Sequence, residues 1–252
     1  MLSRMVFLIW VSRLRVLFWW LDVTGRKEIR KALTTWGCRN WGLQVFLDLD
    51  CRVEVTGEEL VPMRGPLVVM SNHQGIFDIP LIMHGLNRPV GFLAKHSVFR
   101  IPVIAFWMRI LGCRPVHRKD TRRTLKEMEH WGREMTAKEE CLVIFPEGTR
   151  SRHPDGKMNP LRRGSLRLAE ENHFTVLPVA IDGTRLLTNK TQLAQTAKGG
   201  RVVRMKILPP LQVQPMNAPQ AKAFMENLAQ QIDQARQAIQ VTWPALPTET
   251  TP

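Results

Sequence analysis

From Val53 onward, short runs rich in β-branched and apolar residues alternate with stretches of helical periodicity. That alternation restricts the chain to an α/β fold, with a mixed, mostly parallel sheet flanked by helices. Strands are expected at 52–56, 67–71, 90–94, 113–117, 141–145, 176–181 and 202–208, and helices at 79–85, 101–111, 121–137, 164–171 and 219–239. In the last helix Phe224, Leu228, Ile232, Ala235 and Ile239 recur every three or four residues, the spacing of a core-facing stripe. The expected organisation is an N-terminal helical segment over 1–50, one α/β domain over 51–241, and a disordered tail over 242–252, which carries three prolines.

Two of the apolar runs end in polar loops, where open α/β sheets place their chemistry. The first loop reads Asn72-His73-Gln74-Gly75-Ile76-Phe77-Asp78, the second Phe145-Pro146-Glu147-Gly148-Thr149-Arg150-Ser151. His73 and Asp78 are five apart, so they do not share a helical face. They meet only if His73 sits on the loop and Asp78 caps the following helix, with Pro80 tolerated in its first turn. A carboxylate on one imidazole nitrogen fixes the tautomer and leaves the other nitrogen to take a proton from a hydroxyl. In isolation, a helix cap beside an ordinary loop histidine explains the same spacing. In the second loop Gly148 admits close backbone approach, Thr149 is a cap or donor, and Arg150 can bind phosphate oxygens in bidentate fashion. Glu147 is expected to pair with Arg150 and shape the loop without carrying protons. Lys95 and Arg118 close two further strands on the same sheet edge, although strand ends need not converge.

A formal net charge of +14 points to an anionic partner: nucleic acid, an anionic membrane surface or an acidic protein. Binding single-stranded nucleic acid would call for aromatic platforms, yet Tyr is absent and five of the eight tryptophans fall before residue 42. No nucleic-acid partner is expected. The four cysteines are widely spaced and no His-Glu-x-x-His occurs, so the thiols read as reduced and structural, and a zinc hydrolase has no support. No serine stands in a Gly-x-Ser-x-Gly elbow. Residues 1–21 are apolar and aromatic but interrupted by Arg4, Arg13 and Arg15, too short a run to span a bilayer. They read as a helix lying in the membrane interface, the alternative being an apolar helix packed on its own domain. Residues 26–49 form a second helical stretch whose continuity is weakened by Gly37 and Gly42.

Four ordered blocks give the chain a more specific likeness: 72–78; Lys95 through Phe99-Arg100-Ile101-Pro102 to Gly112 and Arg118; 145–151 with Leu161-Arg162-Arg163-Gly164; and 176–181. Over about 53–239 the chain resembles the 1-acyl-sn-glycerol-3-phosphate acyltransferases, of the glycerolipid acyltransferase family with the His-x-x-x-x-Asp motif. The resemblance implies His73 as general base on the acceptor's 2-hydroxyl and Asp78 as its orienting partner. It implies a phosphate site built from Lys95, Glu147, Gly148, Thr149 and Arg150. Asn72 and Arg118 are further motif residues, and Pro178 belongs to a block shaping the acyl or donor region. No cofactor is implied; acyl-ACP or acyl-CoA is the co-substrate and a membrane lipid the acceptor. An N-terminal helical pair dipping into one leaflet is implied too, placing the chain at the cytoplasmic face of the cell membrane as a monotopic or peripheral protein. Direct attack by the acceptor hydroxyl is preferred over an acyl-enzyme. His96 stands where a second lysine is common, and Leu161-Arg162 replaces a frequent Phe-Lys. Lysophospholipids with larger headgroups and lyso-ornithine lipids remain alternative acceptors. A basic membrane-surface binding protein is the non-enzymatic alternative, and oligomeric state is left open.

Overall fold

The computed structural model describes residues 14, 16–117, 121–153, 155–196 and 199–244. In chain order the elements are α1 (Lys27–Leu47), β1 (Cys51–Thr56), β2 (Leu67–Ser71), α2 (Asp78–Gly85), β3 (Gly91–Lys95), α3 (Pro102–Ile110), β4 (Arg114–Val116), α4 (Thr121–Lys138), β5 (Cys141–Ile144), α5 (Arg167–Asn172), β6 (Thr175–Asp182), α6 (Lys190–Gln195), β7 (Arg201–Ile207) and α7 (Ala218–Ala238). The seven strands form one sheet in the order β1-β7-β6-β2-β5-β3-β4. Every neighbouring pair is parallel except β6 with β7. The mixed, mostly parallel sheet expected from the alternation is present, with strand boundaries within two residues of those expected.

β2 shows why such strands read as continuous apolar runs: all five of its residues are buried. Leu67 and Val69 enter one core with Phe46 of α1 and Leu81 and Ile82 of α2. Val68 and Met70 enter a second with Trp131 of α4, Leu168 of α5 and Leu228 of α7. Helices therefore cover both faces. The stripe expected on α7 is only partly in that core: Leu228, Ile232 and Ala235 are buried, while Phe224 and Ile239 pack at its margin. A reciprocal capping box between Asn217 and Gln220 fixes where α7 begins.

Three expectations change. α1 runs unbroken through Gly37 and Gly42, because Gly42 lies where α1 crosses α2: a Cβ there would stand 2.4 Å from the Pro80 carbonyl oxygen. The tail does not become disordered at 242. Trp243 is buried in the first core, and its indole Nε1–H donates to the Val202 carbonyl at 2.8 Å. The one-turn helix α6 has too little apolar periodicity to announce itself.

At the amino end, residues 1–13 and 15 lie outside those described. Residues 16–23 are helical. One side of this helix packs on the domain: Leu21 is buried and Phe18 meets Trp107 of α3 edge-on. The other side leaves Val16, Trp19, Trp20 and Val23 exposed. The packed side agrees with the reading of an apolar helix on its own domain, and the exposed side is the one a membrane interface would have to cover. α1 repeats the division, burying Thr34, Cys38, Gly42 and Phe46 while exposing Ile29, Leu33, Trp36, Trp41 and Leu47. No helix among the described residues is long and apolar enough to cross a membrane.

Candidate active site

β2 and β5 are adjacent and parallel, but α2 packs into one core and α5 into the other. Their exits diverge at the carboxyl edge of the sheet, the place where open α/β sheets form a binding crevice. Both polar loops lie at this divide. The second is clasped to the first by a backbone bond: the Ser151 N–H donates to the His73 carbonyl at 2.8 Å.

His73 follows the end of β2, and its ring stacks on Phe145 at 4.0 Å between centroids. Its Nδ1 lies 2.6 Å from Asp78 Oδ2. That carboxylate oxygen also accepts the N–H groups of Gln74 at 2.7 Å and Gly75 at 3.0 Å. Asp78 is fully buried and opens α2, yet it does not cap the helix as expected. Its acceptors are turned back toward the loop, curling 73–75 around the carboxylate. Nε2 of His73 has no hydrogen-bond partner among the described residues, and the side chain keeps 16% of its surface exposed. The imidazole is thus anchored through Nδ1 and open at Nε2, the arrangement a general base needs.

Asn72 is a splice between strands. Its side chain donates to the Ile181 carbonyl and accepts the Ile181 N–H, both at 2.8 Å. Glu147 braces the two loops together. Oε1 accepts the His73 N–H at 2.7 Å, and Oε2 accepts Asn159 N–H at 2.7 Å and its Nδ2 at 2.8 Å. Burial pushes the Glu147 carboxyl above the ordinary glutamate range, against hydrogen bonds from Asn159 and His73 that pull it down. The expected Glu147–Arg150 pair is not formed, and with both oxygens occupied Glu147 has nothing to offer a phosphate. It supports the loop, as expected, through different partners.

Gly148 takes φ of +70°, and a Cβ would come within 2.7 Å of the Arg162 side chain, so glycine is required there. Gly148, Thr149 and Arg150 are exposed, and Arg150 has no ion-pair partner among the described residues. Lys95 ends β3, exposed on the same edge; the Phe92–Val143 register carries it level with Pro146. Arg118 lies outside the described residues. Just before it, His117 stacks against His96 at 4.6 Å between centroids. Pro178 sits inside β6 opposite Met70, buried in the sheet two residues below the start of the first loop.

The sequence reading missed a second polar layer beneath His73. Gln74, Asp182 and Thr184 are all buried there. The signal was present, because Asp182-Gly183-Thr184 follows an apolar strand just as the two other loops do.

Comparison with known proteins bears on this geometry. Residues 52–182 match the family model described as Acyltransferase. A 1-acyl-sn-glycerol-3-phosphate acyltransferase of Chlamydomonas reinhardtii is 33% identical over 77% of this chain and 53% of its own. The enzyme of that name from Pseudomonas aeruginosa is 31% identical over 62% of this chain and 58% of its own. The chain spans about half the length of these curated relatives. The crystal structure of the 1-acyl-sn-glycerophosphate acyltransferase PlsC from Thermotoga maritima superposes with a TM-score of 0.66 at 27% identity, covering 81% of this chain and 79% of that one.

Proposed function

The chain belongs to the Acyltransferase family, and from that premise we propose that it moves an acyl group from a thioester to the 2-hydroxyl of 1-acyl-sn-glycerol 3-phosphate, giving phosphatidic acid. The observation that carries this reading is His73 held through Nδ1 by buried Asp78, with Nε2 open, beside a loop that presents an exposed arginine with no ion-pair partner among the described residues.

In this reading the acceptor's phosphate lies against Arg150, Lys95 and the exposed turn at Gly148-Thr149. Nε2 of His73 takes the proton of the 2-hydroxyl as that oxygen attacks the thioester carbonyl carbon. Asp78 stabilises the imidazolium so formed. When the tetrahedral intermediate collapses the C–S bond breaks, the ester C–O bond remains, and the imidazolium proton passes to the departing thiolate. Holding both substrates in one crevice supplies the proximity contribution. The donor is acyl-ACP or acyl-CoA; both are acidic and suit a strongly basic surface.

The apolar sides of residues 16–23 and α1 lie against lipid in this account. Ile76 on the first loop, with Ile101 and Ile104 beyond Lys95, adds exposed apolar surface beside the crevice. An acceptor then enters laterally with its chain still in the leaflet.

The test is product analysis by mass spectrometry, with a panel of lyso-lipids offered together with each thioester. Phosphatidic acid formed from 1-acylglycerol 3-phosphate is the expected product. Acylation of lysophospholipids or lyso-ornithine lipids instead would reassign the acceptor. No lyso-lipid-dependent thioester consumption with either donor would end the enzymatic reading.

A further inference from the structure

Three of the four close contacts to the Asp78 carboxylate fall on Oδ2, from the His73 ring and two loop amides. The fourth is different: Oδ1 receives the hydroxyl of Thr184 at 2.5 Å, and this is its one hydrogen-bond partner among the described residues. Thr184 is itself fully buried, just beyond β6, more than a hundred residues from the loop it supports. Its hydroxyl also lies 3.3 Å from Gln74 Oε1, and Gln74 Nε2 donates to Asp182 Oδ1 at 2.7 Å. Asp182 Oδ2 in turn accepts the Val241 N–H at 2.8 Å, and Arg236 of α7 lies 3.9 Å from Oδ1. A buried polar chain therefore runs from the imidazole to the segment after α7.

We infer that Thr184 is a positioning residue for the proton-transfer step: its hydroxyl holds the Asp78 carboxylate in the plane and rotamer that present Nδ1 with its hydrogen bond and aim Nε2 at the acceptor. This rests on the reading of His73 as the base. Physically, a fully buried carboxylate oxygen deprived of its donor must rotate, draw in water or concentrate its charge on the remaining partner. Each outcome alters the His73–Asp78 bond without touching substrate.

The test compares Thr184→Val, Thr184→Ala and Thr184→Ser with wild type, thermal melts confirming the fold. Thr184→Val keeps the shape, and Thr184→Ala removes the same hydroxyl if valine proves too bulky to fold. Loss of the hydroxyl is expected to lower kcat about 10- to 100-fold, the loss seen when the carboxylate partner of a metal-bound histidine is removed. Acceptor KM should stay within about twofold. The acid limb of the kcat/KM profile should move to higher pH, because a carboxylate with fewer donors holds the imidazolium more strongly. Thr184→Ser should restore rate and limb together. Independently of turnover, the Nδ1–H proton of His73, read by NMR, should move downfield in the valine and alanine variants. Wild-type kcat in Thr184→Val, or a slower enzyme whose acid limb and Nδ1–H resonance stay put, overturns the assignment. If wild type consumes no thioester with any lyso-lipid, the proposed function falls, while the resonance still decides whether Thr184 controls the histidine.

Discussion

At the residue scale the proposed function divides the site into groups that would meet substrate and groups that hold them. His73→Ala removes the proposed base, so kcat should fall by about 10²–10⁴-fold. The melting temperature should be little changed, since the ring is partly exposed; steady-state turnover with a melt on the same preparation checks both. Arg150 is exposed and has no ion-pair partner among the described residues, so Arg150→Ala should raise acceptor KM and leave kcat nearly intact. An unchanged KM would remove it from the phosphate site. Glu147 belongs to the holding group, and its effect is pH-dependent. Burial raises its pKa in the folded state, so the native protein binds that proton more tightly than the unfolded chain. Its contribution to stability is therefore fullest below the ordinary carboxyl range, about pH 4.3. It shrinks as pH rises through the folded value and is flat above that. Urea melts of wild type and Glu147→Gln should show a stability gap that narrows over that window. A widening gap would mean that the amides outweigh burial. His73 and Asp78 share one short loop, but their spacing alone also fits a plain helix cap, and it was the four ordered blocks that singled the pair out. Thr184 and Asn159 were not, since each reaches its partner only across the sheet edge or a folded-back loop. The expected Glu147–Arg150 pair failed for a related reason: sequence nearness ignored three N–H groups, from His73 and Asn159, that already occupy the carboxylate, while Arg150 is exposed.

At the scale of elements, the crossing of α1 with α2 fixes how the amino-terminal segment meets the sheet. The two glycines of α1 have opposite meanings there. At Gly42 a Cβ would stand 2.4 Å from the Pro80 carbonyl oxygen and 3.0 Å from the His84 nitrogen, both backbone atoms. At Gly37 nothing lies within 4 Å. Gly37→Ala should therefore stabilise the protein by up to about 1 kcal/mol through helix propensity. Gly42→Ala gains the same propensity but forces the helices apart, a strain of about 1–3 kcal/mol, so it should come out destabilising. Denaturant titrations of the two variants should give shifts of opposite sign; a stabilised Gly42→Ala would show that the crossing is looser than described. Both glycines look alike in the sequence, as propensity defects. Strands, by contrast, were legible almost to the residue: β2, β5 and β6, buried on both faces, leave uninterrupted apolar runs, while β1 and β7 are β-branched runs broken by charges on their less buried side. Trp243 was misread because three prolines gave 242–252 a tail's composition, while one large side chain finds a slot beside β7.

For the whole molecule, the proposed function requires a chain of net charge +14 to hold a lipid surface. Charge alone gives attraction to anionic vesicles that fades with salt, because the Debye length falls from about 10 Å at 0.1 M to about 3 Å at 1 M. Burying the exposed sides of 16–23 and α1 gives a hydrophobic contribution that salt does not screen. Trp19, Trp20, Trp36 and Trp41 are all exposed there, and tryptophan favours the headgroup level. Wild type should therefore float with anionic vesicles at 0.1 M salt and stay bound in large part at 1 M. Replacing Trp36 and Trp41 together by Ala should leave low-salt binding detectable but strip most of it at high salt. Acyl transfer to a lyso-lipid held in vesicles should fall with it, while transfer to a detergent-dispersed acceptor persists. Full release of wild type at 1 M would make the attachment electrostatic, and the apolar stripe would then need another covering. The double variant matching wild type at both salts would place the lipid contact elsewhere, in the first thirteen residues or around Ile76, Ile101 and Ile104. In either case the crevice would have to draw its acceptor from a surface other than α1.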